Sequence, residues 1–229
     1  VKISIVTIVL NEENLIERTI KSVLQQNYRN INYVVIDGGS TDNTVEIIKK
    51  YSDQIDFWVS EPDNGIFHAM NKGVKKTNGQ VLNILNAGDY YKDETVLMKA
   101  AGFFNKDTSL DFAIGRGQVV DKRGNPIYIG NKRVLTNIKD NIFKSLCHQA
   151  FFYKKTLHNK FGLYSNKYRT CADGYFMYRV YHSKNIKRKL IDEVLVLTQE
   201  GGVSKSPQAV IEQKKMHDEV FGHKLIQIC

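Results

Sequence analysis

Residues 3–44 read "ISIVTIVLNEENLIERTIKSVLQQNYRNINYVVIDGGSTDNT". The segment opens with an unbroken apolar run, which is typical of a strand buried on both faces. Ile16, Ile20 and Val23 then recur at helical spacing. A second apolar run follows at 31–37. Strand, helix and strand in this order predict one unit of a parallel α/β sheet with a right-handed crossover.

The same alternation continues to about residue 105. "IDFWVS" (55–60) and "QVLNILN" (80–86) are predicted to be the third and fourth strands. A helix with one apolar stripe lies between them and is expected to end at Asn78-Gly79. A fourth helix is expected from about Glu94 to Phe104. These residues predict a mostly parallel, doubly wound sheet in α/β/α layers.

Two helix starts are predicted from capping residues. Asn11 is expected to cap the first helix, with Glu12 as an acid in its first turn. Asn43 and Glu46 have the spacing of a capping box, so the second helix is expected to begin there.

The second half of the chain has a different pattern. "FAIGRGQVVDKRGNPIYIG" (112–130) predicts an antiparallel hairpin around a turn at 122–125. "CADGYFMYRVY" (171–181) predicts a helix, "IKRKLIDEVLVLTQE" (186–200) an extended segment, and a last helix is expected from about Pro207. We therefore expect a single domain, with an α/β half over about 1–105 and an α+β half over about 106–229.

Composition restricts the classes of protein to consider. The chain has 229 residues, 42% of them hydrophobic, and a formal net charge of +9. With no apolar run of 18 residues and no charged leader, neither a membrane span nor a secretory signal is expected, and the cytoplasm is the default location. Three cysteines without CxxC spacing, Cys147, Cys171 and Cys229, favour a reducing compartment over a structural zinc site.

The positive charge suits nucleic acid, an anionic membrane or a phosphate-bearing small molecule. No RRM, helix-turn-helix or zinc-finger pattern accompanies it, so nucleic-acid binding ranks far behind the other two. The modest cluster at Lys184, Lys187, Arg188 and Lys189 is equally well explained as a solvated surface.

Polar residues follow each predicted parallel strand, where ligands bind in an open α/β sheet. They include Asp37 and Ser40 after the second strand, Asp63 after the third and Asp89 after the fourth. Turn hydrogen bonds would explain Asp37 and Ser40 equally well, and helix capping would explain Asp63. Neither GxGxxG nor a P-loop is present. If a nucleotide binds, its phosphates would therefore have to be neutralised in another way, and a divalent metal held by these carboxylates would do so.

The segment 3–44 resembles the opening of the family 2 glycosyltransferases, which are inverting sugar transferases with a GT-A fold. Residues 60–91 resemble a bacterial surface-polysaccharide branch of that family, of the colanic-acid type. The resemblance resumes more thinly at 147–155, 170–180 and 200–204. It implies a UDP- or GDP-sugar donor and a glycan or polyprenyl-diphosphate-linked acceptor. The net charge would suit peripheral contact with the inner face of the plasma membrane.

The resemblance also implies roles for individual residues. The nucleotide and donor contacts would be Thr7, Asn11, Glu12, Asp37, Ser40, Asp63, Asn71, Asn86 and Gly88. Relatives carry a metal-binding DxD where this chain has "NAGD" at 86–89, a form similar to their "NSGD" variant. Asp89 would therefore hold Mn²⁺ or Mg²⁺. His148 would be a further metal ligand or donor contact, or else a structural histidine.

Inversion requires a base that takes the proton of the acceptor hydroxyl. The resemblance assigns this role to Asp173 at the start of a helix, where a plain N-cap is the alternative. "EGGVS" (200–204) resembles a glycine-containing loop near the diphosphate, although a turn would use its glycines equally. Because acids are missing at 86 and 88, a non-catalytic nucleotide- or glycan-binding protein on a degenerate transferase scaffold is the alternative function.

Overall fold

The computed structural model describes residues 1–121, 123–129, 146–201 and 206–221. Its strands are β1 Ile3–Val9, β2 Ile31–Asp37, β3 Phe57–Ser60, β4 Val81–Ile84, β5 Tyr90–Tyr91, β6 Phe112–Val120, β7 Pro126–Ile129, β8 Phe151–Lys154 and β9 Arg188–Gln199. Its helices are α1 Ile16–Leu24, α2 Thr44–Lys49, α3 Ile66–Lys76, α4 Val96–Lys106, α5 Leu157–Phe161, α6 Ala172–His182 and α7 Pro207–Phe221. Of the predicted features, Lys122 of the hairpin turn, residues 202–204 and Cys229 lie outside the described residues.

The described strands form one sheet in the order β3-β2-β1-β4-β8-β6-β9-β5, with β7 added beside β6. Strands β3, β2, β1 and β4 are parallel neighbours. From β8 onward the pairing is mixed, because β8 runs antiparallel to both β4 and β6 while β6 and β9 are parallel. The parallel first half and the hairpin β6-β7 confirm two predictions from the sequence.

Both faces of the sheet are covered. Along β1, Ile3, Ile5 and Val9 pack into one apolar cluster, which α1 and α4 complete. Val6 and Ile8 pack into a second cluster, to which α3 and α6 contribute. Successive side chains of a strand point to opposite faces, so these two clusters are the two cores of an α/β/α arrangement.

Gly73 allows α3 to lie directly on β1. A Cβ atom at Gly73 would come 2.3 Å from Cγ1 of Val6. A side chain at this position would push the helix away from the sheet, and α3 begins immediately after the loop that carries Asp63.

The predicted cap of α1 is wrong, whereas α2 begins where it was predicted to begin but without the predicted capping box. Helix α1 begins at Ile16 with Leu15 at its N-cap, while Asn11 lies in the preceding loop with a φ of 52°. Asn43 is the N-cap residue of α2 but makes no side-chain capping bond. Its N–H, which a capping box would join to Glu46, donates to Oε2 of Glu13 instead (2.9 Å). The side chains of Asn11 and Asn43 bond residues of the facing loop instead of the helix N-termini.

The predicted cap at Asn78-Gly79 is also wrong. Helix α3 ends at Lys76, and the next residue, Thr77, is extended. Gly79 is required for a different reason, since a Cβ atom there would lie 2.7 Å from the carbonyl oxygen of Lys2 and from Oγ of Ser4. The missing side chain of Gly79 allows the segment before β4 to lie directly against the start of β1.

Candidate active site

The parallel strands β1, β2 and β3 end at the same edge of the sheet, where Val9 pairs with Asp37 and Asp37 with Ser60. Asp37 is fully buried, and its Oδ2 accepts hydrogen bonds from the N–H of Ser40 (2.9 Å) and from Oγ of Ser60 (2.6 Å). Its Oδ1 accepts a bond from Oγ of Ser40 (2.5 Å). Asp37 therefore organises the turn after β2 from inside, as the turn interpretation had allowed.

The loop after β1 is tied to the same turn. The N–H of Asn11 donates to Oγ of Ser40 (2.7 Å), and Oδ1 of Asn11 accepts a bond from the N–H of Thr41 (2.8 Å). The N–H of Glu12 donates to Oγ1 of Thr44 (2.9 Å). Burial, and secondarily the nearby Asp42, raises the pKa of the Glu12 carboxyl. The two loops form one polar edge.

Two of the expected nucleotide contacts are turned away from this edge. Thr7 is fully buried on the face of β1 that also carries Ile5 and Val9, with its hydroxyl 3.1 Å from that of Tyr33. Asn71 is buried in α3 and pairs with the backbone of Tyr164 in both directions, at 2.8 and 2.9 Å. Strand alternation and this amide pairing give both side chains structural contacts instead.

Asp63 presents an unused acceptor at the edge. Its Oδ1 lies 2.7 Å from Nζ of Lys72 and 2.8 Å from Nδ1 of His68. Its Oδ2 is buried and has no hydrogen-bond partner among the described residues. A Cβ atom on Gly38 would lie 3.6 Å both from this oxygen and from Cδ1 of Leu10, a side chain that is 55% exposed. An acceptor beside an exposed apolar side chain suits the edge of a flat heterocycle.

The loop "NAGD" after β4 holds Asp89 nearly buried. Oδ2 of Asp89 accepts a hydrogen bond from Nε2 of Gln149 (2.6 Å), and Oδ1 accepts one from the N–H of Gln199 (3.3 Å). Burial raises the pKa of Asp89 to about 6, against the opposing effect of these donors and of His148. Gly88, at a φ of 94°, is contacted through its backbone, since its N–H donates to Oγ1 of Thr19 (3.0 Å).

The chemistry of this loop decides how a divalent metal would fit. In the described ranges, no cluster of three or more His, Cys, Asp or Glu side chains is arranged to hold an ion. Oδ1 of Asn86 is buried and lacks a partner within the same ranges. One carboxylate and one amide oxygen are hard ligands of the kind that Mg²⁺ and Mn²⁺ prefer. These residues fit a cation that arrives together with a diphosphate, and they do not form a complete site by themselves.

His148 connects this loop to α6. Its Nδ1 lies 2.8 Å from Oδ2 of Asp173, and its Nε2 lies 3.2 Å from Nδ2 of Asn86. Both ring nitrogens thus contact protein groups, which gives His148 structural contacts, and its role as a metal ligand stays a prediction. Burial lowers the pKa of His148, but the carboxylates of Asp173 and Asp89 together raise it above its ordinary value.

Asp173 lies in the first turn of α6. The N-cap residue is Cys171, so the alternative that Asp173 is a plain N-cap is wrong. Burial raises the pKa of Asp173, but His148 and the N–H groups of the first turn outweigh it and hold the pKa below its ordinary value. Asp173 is therefore ionised at neutral pH and oriented by an imidazole.

Sequence reasoning missed Gln149, which holds the Asp89 carboxylate. The residue stands next to His148 in the segment 147–155 that carried the family resemblance. Its adjacency to His148 was the available signal, but an amide has no titratable chemistry that would have singled it out.

The model of glycosyl transferase family 2 matches residues 4–186. The chain belongs to glycosyl transferase family 2. This family 2 enzyme is 32% identical over 186 residues to an uncharacterised glycosyltransferase of Mycobacterium tuberculosis, covering 77% of this chain and 68% of that protein. It is 28% identical over 206 residues to a PGL/p-HBAD biosynthesis glycosyltransferase of Mycobacterium bovis, covering 88% and 78% respectively.

Solved structures show the same fold. The Staphylococcus aureus TarS 1–349 complex with UDP-GlcNAc superposes on this glycosyltransferase with a TM-score of 0.76 and 18% identity, over 98% of this chain and 68% of that chain. Mannosyltransferase PcManGT from Pyrobaculum calidifontis, in complex with GDP-Man and Mn²⁺, gives a TM-score of 0.65 and 16% identity over 86% and 56%. At these identities the likeness concerns the fold, and it confirms the predicted GT-A architecture.

One further feature concerns membranes. Within residues 1–121, 123–129, 146–201 and 206–221, none of the glycosyltransferase's helices combines the length and apolar character needed to cross a bilayer.

Proposed function

We propose that this family 2 glycosyltransferase inverts the anomeric centre as it moves a sugar from a nucleotide-sugar donor to an acceptor hydroxyl, with Asp173 as general base. The observation that carries the proposal is the contact of Asp173 with His148, which itself adjoins Asn86 of the loop after β4. The base then stands near the loop proposed to hold the diphosphate. A base so placed can take the hydroxyl proton as the oxygen attacks the anomeric carbon opposite the departing diphosphate.

His148 would orient this base. The side-chain nitrogen of Asn86 can only donate, so in the neutral form of the His148 ring Nε2 is the acceptor in that contact. The ring proton then sits on Nδ1 and is donated to the Asp173 carboxylate. The Asp173 carboxylate, which also accepts hydrogen bonds from first-turn N–H groups, would receive the acceptor proton.

The first half of the chain, about residues 1–105, would bind the nucleotide. The loops carrying Asn11, Glu12, Asp37 and Ser40 are joined by hydrogen bonds into one edge, and Asp63 offers an acceptor for an N–H group of the base. The complexes of TarS with UDP-GlcNAc and of PcManGT with GDP-Man, on the same fold, support this proposal. Thr7 and Asn71 would support this edge without touching the nucleotide, through their hydrogen bonds to Tyr33 and to the backbone of Tyr164. The second half, about 106–229, would bind the acceptor.

A divalent cation would be held by Asp89, with Asn86 as a second oxygen ligand, and completed by diphosphate oxygens and water. When bound in this place, Mn²⁺ or Mg²⁺ would supply Lewis-acid stabilisation of the leaving diphosphate. The Mn²⁺ in the PcManGT complex supports this choice. Gln149 would keep the Asp89 carboxylate in place through its hydrogen bond to Oδ2, and the remaining lone pairs of the carboxylate would face the cation.

The acceptor would be a glycan or a polyprenyl-diphosphate-linked sugar at the cytoplasmic face of a membrane. The net charge of +9 motivates this step. Co-sedimentation with anionic phospholipid vesicles at low salt tests it: the protein is expected to pellet with these vesicles and to stay in solution with neutral ones. Equal behaviour with both kinds of vesicle would remove the membrane from the proposal.

The central experiment measures nucleoside diphosphate release from UDP-GlcNAc and GDP-mannose with and without Mn²⁺. We expect release from one of the two donors, accelerated by Mn²⁺ and abolished by Asp89→Ala. The anomeric configuration of the first-formed product, read by NMR coupling constants, is expected to be opposite to that of the donor. Retention of configuration would refute inversion and the role of Asp173, and equal rates for wild type and Asp89→Ala would refute the metal role.

A further inference from the structure

The C-terminal helix α7 reaches the turn that leads into α6. Glu212 of α7 is 6% exposed, and its Oε2 accepts hydrogen bonds from the N–H of Arg169 (2.9 Å), the N–H of Thr170 (2.8 Å) and the hydroxyl of Thr170 (2.7 Å). Its Oε1 accepts a weaker bond from Gln208 of the same helix (3.2 Å). One buried carboxylate therefore binds three donors of the two residues that stand just before Cys171, the N-cap of α6.

The same face of α7 is attached to α6 itself. Met216, four residues beyond Glu212, is fully buried in the apolar cluster that contains Phe176, and a Cβ atom on Gly174 would lie 3.8 Å from its terminal methyl group. Glu219, three residues further on, accepts a hydrogen bond from the hydroxyl of Tyr168 (2.6 Å). Spacings of four and three place these side chains along one helix face.

At the start of α6, the Asp173 carboxylate accepts hydrogen bonds from first-turn N–H groups, and the N-cap residue adds none. The N-cap residue Cys171 makes no side-chain capping bond. A carboxylate near a helix N-terminus is favourable, and burying one is costly unless donors satisfy it. The buried Glu212 therefore holds this one turn specifically, and that turn starts the helix that carries Asp173.

We propose that Glu212 is a positioning residue, which fixes residues 169–171 and thereby sets where Asp173 meets His148. The proposal rests on the role of Asp173 as general base. The match to the family model ends at residue 186, so α7 lies outside the matched region. Helix α7, outside the matched region, thus holds the proposed base Asp173 in position.

The test replaces Glu212 by alanine and by glutamine, with Glu46→Gln as the matched control. Glu46 is an exposed carboxylate of α2 that pairs with Lys49 (2.7 Å). The pKa of Asp173 is measured by NMR titration of ¹³C-labelled aspartate, with its signal assigned from Asp173→Asn. The titratable groups whose charge acts with Asp173 are not replaced; they are His148, Cys147, Cys171 and Tyr164.

Glu212→Ala is expected to raise the pKa of Asp173 by about 0.5–1 unit, because the first-turn N–H groups and His148 hold the carboxylate less closely. The kcat for hydrolysis of the donor that the wild type consumes is expected to fall about tenfold, with its KM changed less than about twofold. Glu212→Gln keeps one acceptor oxygen, so its Asp173 pKa and its kcat are expected to lie between those of Glu212→Ala and wild type. Glu46→Gln is expected to match wild type.

An unchanged Asp173 titration and an unchanged kcat in folded Glu212→Ala would overturn the proposal. If circular dichroism shows that Glu212→Ala does not fold, Glu212→Gln decides, and an unchanged pKa of Asp173 in that variant overturns the proposal in the same way. The NMR titration does not depend on turnover. A failure of Asp173 as the base, seen as full activity in Asp173→Asn, is therefore distinguishable from a failure of Glu212.

Discussion

Nδ1 of His148 lies 2.8 Å from Oδ2 of Asp173, although the two residues are 25 positions apart in the chain. The contact joins a short helical turn at His148–Ala150 to the first turn of α6. Since Nε2 of the same ring contacts Asn86, the imidazole links the proposed base to the loop after β4. The site chemistry proposed for this glycosyltransferase depends on that link.

Asp173→Asn is expected to lower kcat about 10²–10⁴-fold with little change in donor KM, since it removes the proton acceptor and keeps the shape of the side chain. Asparagine can still accept the hydrogen bond from Nδ1 of His148, so the fold is preserved. The measurement is steady-state release of nucleoside diphosphate. Asp192→Asn, which alters an exposed partner of Arg116, is the control and is expected to retain wild-type kcat.

His148→Gln is expected to lower kcat about tenfold and to move the acidic limb of the kcat–pH profile to higher pH. The imidazole and its hydrogen bond help to hold the pKa of Asp173 below its ordinary value, and glutamine carries no charge. The pKa of Asp173 is lowered and that of His148 is raised in the folded protein. The pair therefore stabilises the fold at intermediate pH. This stabilisation is lost as the pH falls through the pKa of Asp173 or rises through the pKa of His148. A profile whose acidic limb stays in place would show that His148 does not tune Asp173.

Asp89→Asn is expected to abolish metal-dependent turnover while stabilising the fold above pH 6. The pKa of Asp89 is raised from 3.8 to about 6, so its effect favours folding below pH 3.8 and is lost as pH rises through 6. The two-unit shift corresponds to up to about 3 kcal/mol. Loss of one hydrogen bond offsets about 1 kcal/mol of that gain.

Urea unfolding at pH 8 and pH 4 measures the effect of Asp89→Asn. The variant is expected to be more stable than wild type by about 1–2 kcal/mol at pH 8. At pH 4 the gain is expected to vanish. If the variant and wild type have the same free energy of unfolding at both pH values, burial does not destabilise the ionised Asp89 carboxylate.

Asp63→Asn is expected to weaken binding of the nucleoside diphosphate by about 10–100-fold, because the charged acceptor proposed to face an N–H group of the base would be replaced by a neutral amide. Isothermal titration with UDP and with GDP measures the loss. Glu61→Gln is the matched control, since Glu61 contacts the same Lys72 (2.7 Å) from a more exposed position. If both variants bind as tightly as wild type, Asp63 does not read the base.

Binding of Mn²⁺ is expected to depend on the nucleotide. Asp89 and Asn86 provide too few ligands for a tight site alone, so Mn²⁺ without nucleotide is expected to bind only in the millimolar range. With UDP or GDP present, the apparent affinity for Mn²⁺ is expected to rise at least about tenfold, and Asp89→Asn is expected to cancel the gain. Micromolar binding of Mn²⁺ to the protein alone would contradict this site.

Several features were open to prediction because they depend on neighbours in sequence. Apolar runs and helical spacing located β1, β2, α1 and α3, since backbone geometry imposes periods of 2 and 3.6 residues. Strand ends then placed Asp37, Asp63 and Asp89 near one edge of a parallel sheet. Asp173 was expected at the start of a helix, and it lies in the first turn of α6.

The predicted side-chain capping bonds of α1 and α2 do not form, because the capping residues have competing partners, although α2 begins after Asn43 as predicted. Asn11 and Asn43 carry the right chemistry for a cap, but Thr41 and Glu13 from the facing loop bind them instead. The propensity of a residue for a cap is worth about 1 kcal/mol, so a single long-range hydrogen bond can replace it.

The sequence by itself determined the α/β architecture, the family and the edge of the sheet where its acids gather. Only the tertiary structure decided which side chains meet there. Thr7 and Asn71 turn inward, Gln149 takes the carboxylate of Asp89, and Glu212 takes the turn before Asp173. The apolar periods that predict strands and helices depend only on residues that are neighbours in sequence. These side-chain contacts depend on how segments far apart in the chain pack together, which no local pattern encodes.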